Sequence, residues 1–209
     1  MRDPLFFLSS FDIYVLIDAL ATEGAISVPL LAESARIELL REAKSFWYEP
    51  EVKTLGKGDQ IVRTEYTACN NVPQTGLYGD FKQAFQTLMD EACDRLKVYP
   101  FSVPLNFNQL VIQQYQPGQL GITPHRDSLR AINLIALVNL CGEAEFYRCD
   151  DRQGTNSVRL DTTPGNIIFL RAPGFLNRRD RPFHLLSNIR STRYSLGLRQ
   201  RIECPIHPL

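Results

Sequence analysis

The second half of the chain is divided into short segments that are apolar or that alternate between apolar and polar residues. Turn-forming residues separate these segments, for example Pro117-Gly118, Thr163-Pro164-Gly165 and Pro173-Gly174. Short strands separated by turns at this spacing are typical of a β-sandwich or a β-barrel, and a double-sheet jelly roll is a known form of this architecture. The predicted strands cover residues 109–115, 131–140, 144–148, 157–160, 166–171, 183–188 and 192–199.

The first half favours helices. Helix-opening residues and apolar spacing predict three of them, while residues 60–67 alternate like a strand. The sequence has no internal repeat and no clear linker, which predicts one domain over residues 1–209, with residues 1–100 as helical support and residues 101–209 as the β core. The predicted helices run from Ser10 to about Ala21, from Leu30 to Lys44 after Pro29, and from Phe81 to Leu96 after Asp80.

Composition excludes several classes of protein. With 44% hydrophobic and 22% charged residues, the 209-residue chain can bury a sizeable core. An odd number of cysteines without CxxC spacing argues against a disulfide framework or a cysteine-rich zinc site, and predicts a cytoplasmic protein, or a nuclear one in a eukaryote. The apolar stretch over residues 5–20 is interrupted by Asp12 and Asp18, so we expect a core helix and no membrane partner. The cysteines are Cys69, Cys93, Cys141, Cys149 and Cys204.

The net charge of zero conceals two halves of opposite sign. Residues 1–100 hold ten Lys and Arg against fifteen Asp and Glu, a net charge of −5. Residues 101–209 hold thirteen Arg, no Lys and eight Asp and Glu, a net charge of +5. A basic half built from arginine alone suggests recognition of anions or planar groups, and solvated arginines are the equally weighted alternative.

His125, Asp127 and His184 are the candidate metal ligands. His125 and Asp127 are two residues apart, so at a strand end both side chains share one face and can bind one ion. His184 begins another predicted strand 59 residues later. Two imidazoles and one carboxylate are the ligand set of non-haem Fe(II), which leaves the opposite face of the metal open. A His-x-Asp sequence also arises by chance. Its position after a turn and before a buried strand makes the pattern more specific.

The last predicted strand carries a second constellation. Arg193, Ser195, Gly197 and Arg199 share one face, and apolar residues occupy the other. Small residues between two arginines leave a cavity, and buried arginines need an anionic partner such as a dicarboxylate. An exposed strand with two solvated arginines is the alternative. Gln113 and Tyr115 on the strand over 109–115 could donate hydrogen bonds into the same cavity, or Tyr115 could be an ordinary tyrosine at its rim.

Together these motifs resemble the AlkB-like branch of the Fe(II)/2-oxoglutarate-dependent dioxygenases. The resemblance covers about residues 105–201 and depends on the order and spacing of the motifs, since no single motif is specific. The closing motif of the family is Arg-x-Asn-x-Thr-x-Arg, and here Ser195 and Gly197 replace Asn and Thr. The matching segments are Tyr115-Gln116-Pro117-Gly118, His125-Arg126-Asp127, Ile132–Leu140, Pro164-Gly165-Asn166-Ile167-Ile168, His184 and Arg193–Arg199.

The resemblance implies a double-stranded β-helix, or jelly roll, flanked by N-terminal helices. It implies that His125, Asp127 and His184 hold Fe(II), with 2-oxoglutarate and O2 as co-substrates. It implies further that Arg193 pairs with the distal carboxylate of 2-oxoglutarate, helped by Tyr115 and Gln113, and that Arg199 lies near the metal-proximal end of the cosubstrate, with Ser195 between the two arginines. Arg63 and Tyr66 fall in the region, within residues 1–100, where family members carry a substrate lid.

The implied reaction is oxidative demethylation or hydroxylation of an alkylated base in DNA or RNA. Ser128, Leu129 and Arg130 follow Asp127, where DNA-repair members usually carry acids, and this departure weakens the case for a repair-type base pocket. Arg178 and Arg179 could meet a phosphate backbone or could be solvated loop residues. The alternatives are the same chemistry on a small molecule, a lipid or a protein side chain, and a metal-binding jelly-roll module without turnover. The sequence does not predict an oligomeric state.

Overall fold

Two antiparallel β-sheets face each other in the computed structural model, which describes residues 5–202 apart from the side chain of Asp59. The strands are β1 (Ala25–Pro29), β2 (Glu49–Pro50), β3 (Lys53–Leu55), β4 (Val62–Glu65), β5 (Thr67–Cys69), β6 (Gln109–Tyr115), β7 (Gly121–His125), β8 (Ala131–Cys141), β9 (Glu145–Cys149), β10 (Val158–Leu160), β11 (Asn166–Arg171), β12 (Phe183–Ser187) and β13 (Arg193–Arg201). The helices are α1 (Ile13–Thr22), α2 (Glu33–Ala43) and α3 (Gly76–Cys93), with 3-10 turns at Leu8–Ser10 and Gly58–Gln60.

The strand order is that of a jelly roll. The first sheet has the order β1-β11-β8-β13-β6-β5-β2, and the second has the order β10-β9-β12-β7-β4-β3. Neighbouring strands are antiparallel throughout both sheets. The predicted fold class, a mainly β jelly roll flanked by N-terminal helices, is confirmed.

The central strand β8 explains how the layers are held together. Alternate residues along a strand face opposite sides, and here both sides are buried. Leu134, Ala136, Val138 and Leu140 join the core beneath the helices. Ile135 and Leu137 join a second core between the two sheets. Since burying a leucine side chain stabilises a protein by about 1.5–3 kcal/mol, this strand fastens the first sheet to both of its neighbouring layers.

The helices are present, but their boundaries differ from those predicted. Helix α1 is capped by Asp12, whose Oδ1 accepts a hydrogen bond of 2.8 Å from the Tyr14 backbone N–H. Ser10, the predicted cap, lies in a 3-10 turn, so that assignment was wrong. Pro29 ends the edge strand β1, where a missing N–H is tolerated, and α2 begins only at Glu33. Helix α3 begins at Gly76, before the predicted Asp80.

Strands from the first 100 residues belong to both sheets, so this half is more than helical support. Strand β1 pairs with β11, and β5 pairs with β6, in the first sheet. Strand β4 pairs with β7 in the second sheet, next to the hairpin partner β3. The structure therefore has no boundary near residue 100, because the sheets are continuous across the two halves.

Two smaller observations concern the cysteines and the membrane. Cys69, Cys93, Cys141 and Cys149 are free thiols, and Cys204 lies outside the described residues. Within residues 5–202, the longest helices are too short or too polar to cross a membrane.

Candidate functional site

The structure brings His125, Asp127 and His184 together at one point between the sheets. Strand β7 ends at His125, and Asp127 follows two residues later. Strand β12 pairs with β7 so that His184 stands opposite His125, and the centroids of the two rings are 4.3 Å apart. One potential ligand atom from each of the three residues lies within 4.8 Å of the other two.

This arrangement fits a metal ion. Three donors that bind one ion at about 2.1 Å on one face lie about 3 Å from one another, so separations of up to 4.8 Å have to shorten by at most about 2 Å to place all three donors on one ion. Two imidazoles and one carboxylate form the facial set used for Fe(II). The three residues therefore suit a divalent transition metal that keeps open positions for other ligands.

Both imidazoles are oriented by backbone carbonyl groups. His125 Nδ1 lies 3.0 Å from the Thr123 carbonyl oxygen, and His184 Nδ1 lies 3.3 Å from that of Pro182. Because a carbonyl oxygen can only accept, each Nδ1 carries the proton and each Nε2 keeps its lone pair for a metal. Burial lowers the pKa of both side chains, and burial together with the neighbouring His125 lowers the pKa of His184 to about 3. Both rings are thus neutral, as metal ligation requires.

Two arginines hold Asp127 in place. Arg199 Nε lies 3.4 Å from Asp127 Oδ2, and Arg181 Nη1 donates a hydrogen bond to the Asp127 backbone carbonyl. Burial raises the pKa of Asp127, but the charge and the hydrogen bond of Arg199 act against burial, and the pKa of Asp127 lies below its ordinary range. A Cβ at Gly197 would lie 2.5 Å from Arg199 Nη1, so the missing side chain leaves room for this guanidinium.

Replacing Arg181 by alanine is expected to weaken Fe(II) binding by about 10- to 100-fold, because removal of a hydrogen-bond partner of a metal ligand costs this much. The Arg181 contact fixes the backbone of the His-x-Asp segment, which otherwise continues into exposed residues. Anaerobic equilibrium dialysis with metal analysis measures the effect. Arg179→Ala, an exposed change in the same loop, is the matched control. Equal iron affinities of the two variants would contradict the contact's role.

Arg193 is a buried cation that forms no ion pair with a carboxylate of the described residues. Its relative exposure is 2%, and its Nε has no hydrogen-bond partner among the residues that the structure describes. The guanidinium carbon lies 5.7 Å from the ring centroid of Tyr115, which is also 2% exposed. Burial lowers the pKa of Arg193 and raises that of Tyr115. An unpaired buried guanidinium is costly, so this position suits the carboxylate of a ligand.

A cavity of about 470 Å³ connects the metal-ligand cluster with Arg193. Gln113, Tyr115 and Ser195 line it from the first sheet, and Ile122 and Leu186 line it from the second. The hairpin of β3 and β4 closes another side. Just beyond that hairpin, the Tyr66 ring packs against the Tyr115 ring with centroids 5.2 Å apart. The volume lies in the range of ligand-binding pockets and leaves room for more than one small molecule.

Three residues predicted to contact substrate do not line this cavity. Arg63 is exposed on β4 between two lining residues, so it points to the other face of the strand. Arg178 Nη1 donates a 2.8 Å hydrogen bond to the Ala21 carbonyl at the end of α1. Arg179 is exposed in the same loop. The remaining predicted residues, Gln113, Tyr115, Ser195, Arg193, Arg199 and Tyr66, all line the cavity.

Sequence reasoning missed several residues of the cavity, among them Phe146 and Arg152. The Phe146 ring stacks on His184 with centroids 5.5 Å apart and an interplanar angle of 13°. Phe146 lies on a predicted strand, and alternation along that strand is the signal that could have placed it inside. Arg152 lines the cavity from the loop between β9 and β10. The sequence marks that loop only as a turn.

Comparison with known proteins supports the fold. No protein-family model matches the sequence, and a search of curated proteins finds no match. A prolyl-4-hydroxylase from Pseudomonas putida has a TM-score of 0.62 at 16% identity, covering 91% of this chain and 99% of its own. A prolyl hydroxylase from Trichoplax adhaerens, in complex with a peptide fragment of the hypoxia inducible factor oxygen degradation domain, has a TM-score of 0.63 at 13% identity, covering 90% and 88%.

A third similar structure is an oxidoreductase of the 2OG-Fe(II) oxygenase family from Burkholderia pseudomallei. Its TM-score is 0.57 at 13% identity, and the match covers 90% of each chain. At these identities the likenesses establish a shared jelly-roll fold. They say nothing of the AlkB-like branch, so the chemistry of this chain must be argued from its own residues.

Proposed function

We propose that the protein is an Fe(II)/2-oxoglutarate-dependent dioxygenase. The observation that carries this proposal is the buried, unpartnered guanidinium of Arg193 in the same cavity as the His125, Asp127 and His184 cluster. A metal-binding module without turnover needs the cluster but has no use for a buried cation at a second position. A dicarboxylate that reaches from the metal to Arg193 satisfies both features.

Each side chain then has a part in the reaction. His125, Asp127 and His184 would hold Fe(II), and Arg193 with Tyr115 would bind the distal carboxylate of 2-oxoglutarate, beside Gln113 and Ser195. With O2 as the oxidant, iron held there would couple decarboxylation of 2-oxoglutarate to hydroxylation of a substrate C–H bond. One oxygen atom of O2 would enter succinate, formed together with carbon dioxide, and the other would enter the new hydroxyl group. Arg199 keeps the Asp127 carboxylate oriented, and the buried walls around His184 exclude water.

For the substrate we propose an alkylated nucleic acid base, in keeping with the AlkB-like motif order. The two arginines of the closing motif have separate positions, since Arg199 contacts Asp127 while Arg193 lies against Tyr115. Hydroxylation of an N-methyl group gives a product that releases formaldehyde and the demethylated base. The free thiols of four cysteines support a reducing compartment, the cytoplasm or a eukaryotic nucleus.

A protein side chain is the second candidate substrate. Two of the similar structures are prolyl hydroxylases, and one of them holds a peptide. Leu55 of the edge strand β3 lines the cavity, and an extended peptide that pairs with this edge could reach the metal cluster from that side.

Anaerobic titration of the Fe(II)-loaded protein with 2-oxoglutarate tests the class of enzyme. We expect a metal-to-ligand charge-transfer band in the visible region. Iron binding without such a band would favour the non-catalytic metal module. Once the band is seen, succinate formation is compared with methylated oligonucleotides and with proline-containing peptides. Formaldehyde release from the oligonucleotides supports demethylation of a base, whereas hydroxyproline supports the second candidate.

A further inference from the structure

Arg152 is a second arginine of the cavity with a buried nitrogen that lacks a partner among the described residues. It lines the cavity from the loop between β9 and β10, and its Nη1 is buried with no hydrogen-bond partner in the described part of the chain. Arg193 reaches the same cavity from the first sheet, whereas Arg152 extends from the second. A 2-oxoglutarate that reaches from the metal to Arg193 would use both of its carboxylates, which leaves Arg152 for another anion.

The loop that carries Arg152 is built to hold its own acids away from it. Asp151 Oδ1 accepts hydrogen bonds of 2.9 Å and 3.0 Å from the backbone N–H groups of Gln153 and Thr155. Asp150 accepts a 3.0 Å hydrogen bond from Arg148 and a 2.8 Å bond from the Asn156 amide. Both neighbouring carboxylates are therefore engaged elsewhere, and the turn they stabilise presents Arg152 at a fixed position.

The guanidinium groups of Arg126 and Arg152 lie near the same aromatic ring, that of Phe183. The guanidinium carbon of Arg126 lies 4.4 Å from the ring centroid of Phe183, and that of Arg152 lies 5.6 Å from the same centroid. Neither arginine forms an ion pair with a described carboxylate. Arg126 and Arg152 both line the cavity, and Arg126 directly follows the candidate metal ligand His125, whereas Phe183 is not among the lining residues. Two cations held by an aromatic ring, rather than by acids, form a positive edge beside the metal cluster.

We propose that Arg152, with Arg126, binds a phosphate group of the substrate. The inference rests on the proposed function, because it requires a nucleotide as substrate. The phosphate meant is that of the nucleotide whose base lies at the metal. A guanidinium binds phosphate through two parallel hydrogen bonds, and it does so better than a lysine ammonium could. The phosphate neutralises the buried Nη1 of Arg152 and fixes how far the nucleotide enters the cavity.

The test measures binding without turnover. Three probes are used: 1-methyladenosine, its 5′-monophosphate, and a single-stranded trinucleotide with 1-methyladenosine in the middle. Binding is measured by calorimetry in the absence of oxygen, with and without Fe(II) and 2-oxoglutarate. The proteins are the wild type, Arg152→Gln, Arg152→Lys and the control Arg41→Gln, an exposed change on α2.

We expect the monophosphate to bind the wild type at least about tenfold more tightly than the nucleoside, and Arg152→Gln to remove this difference. Arg152→Lys should restore part of this difference in affinity, since lysine keeps the positive charge but cannot donate the two parallel hydrogen bonds of a guanidinium. For the trinucleotide, Arg152→Gln should also reduce the slope of log affinity against log salt by about 0.7, the value for one neutralised phosphate on a single strand. Arg41→Gln should match the wild type.

The phosphate could belong to a free nucleotide or to a nucleic acid strand, and the probes distinguish the two. If the monophosphate binds as tightly as the trinucleotide, a free nucleotide is favoured. If the trinucleotide binds more tightly, a strand is favoured. Equal binding of nucleoside and monophosphate, or equal binding by wild type and Arg152→Gln, would overturn the proposal. So would an acidic peptide that binds through Arg152 while nucleotides do not. Failure of the proposed function shows up separately, as absence of the 2-oxoglutarate charge-transfer band.

Discussion

Replacing Asp127 by alanine is expected to abolish Fe(II) binding and all succinate formation. The change removes the single anionic ligand of the cluster and leaves the guanidinium of Arg199, whose side chain is 16% exposed, beside two neutral imidazoles. Iron affinity should fall by more than the roughly 10- to 100-fold that loss of a ligand's hydrogen-bond partner costs. Anaerobic dialysis with metal analysis and a succinate assay measure the two effects. His125→Ala should behave in the same way.

The matched control is Asp80→Ala. This change removes an exposed carboxylate from α3, at a position that does not line the cavity. It should bind iron like the wild type. Thermal unfolding of the metal-free proteins checks that Asp127→Ala still folds. A folded Asp127→Ala variant that keeps iron and turnover would refute the assignment of this carboxylate as a ligand.

Replacing Arg193 by alanine is expected to raise the 2-oxoglutarate requirement without removing the metal. Truncating one partner of a buried charge pair costs about 2–5 kcal/mol, which corresponds to roughly 30- to 4,000-fold in apparent affinity. The charge-transfer band, followed during anaerobic titration with 2-oxoglutarate, reports this shift directly. Iron content should stay at the wild-type level, because Arg193 contacts Tyr115 rather than the metal cluster.

Stability of the ligand-free protein provides an independent check on Arg193. Since the guanidinium is buried and its Nε lacks a partner in the described residues, removing it should leave the unfolding temperature unchanged or raise it. Arg41→Ala, exposed on α2, is the control for both measurements. Unchanged 2-oxoglutarate dependence in Arg193→Ala would place the carboxylate site elsewhere in the cavity.

The strands of the core follow from local pattern. The predicted segments 109–115 and 166–171 coincide with β6 and β11, because apolar alternation and flanking turns define both of their ends. Strand β7 was not predicted as a separate strand, since Gly121 and Pro124 within it are residues that normally interrupt strands. Gly121 has φ +80°, a backbone conformation that glycine accommodates easily. The cap of α1 was misplaced because Ser10 and Asp12 are both good cap residues, and only the chain path selects between them.

Some residues of the candidate site could also be predicted from sequence pattern, whereas others depend on the folded chain. His125, Asp127 and His184 could be found from sequence because few residue types ligate iron and their spacing on strands is restrictive. Arg181 acts on a backbone carbonyl, an acceptor that every residue has, so no sequence pattern marks its contact with Asp127. Arg152 depends on the folding of its own loop around Asp151. The roles of all these residues stay predictions until the measurements above are made.

The hairpin of β3 and β4 has an evolutionary consequence. It is attached to the second sheet at its edge, with Thr64 opposite Ile122 and Glu65 opposite Gly121, and its tip over residues 56–61 extends beyond the paired strands. Insertions or deletions at that tip would reshape the cavity wall that Gly56 and Gln60 form, while the strands bearing His125 and His184 keep their register. Selection can therefore act on substrate choice and on the oxidative chemistry as nearly independent traits, so that a lineage can acquire a new substrate without first losing its catalyst.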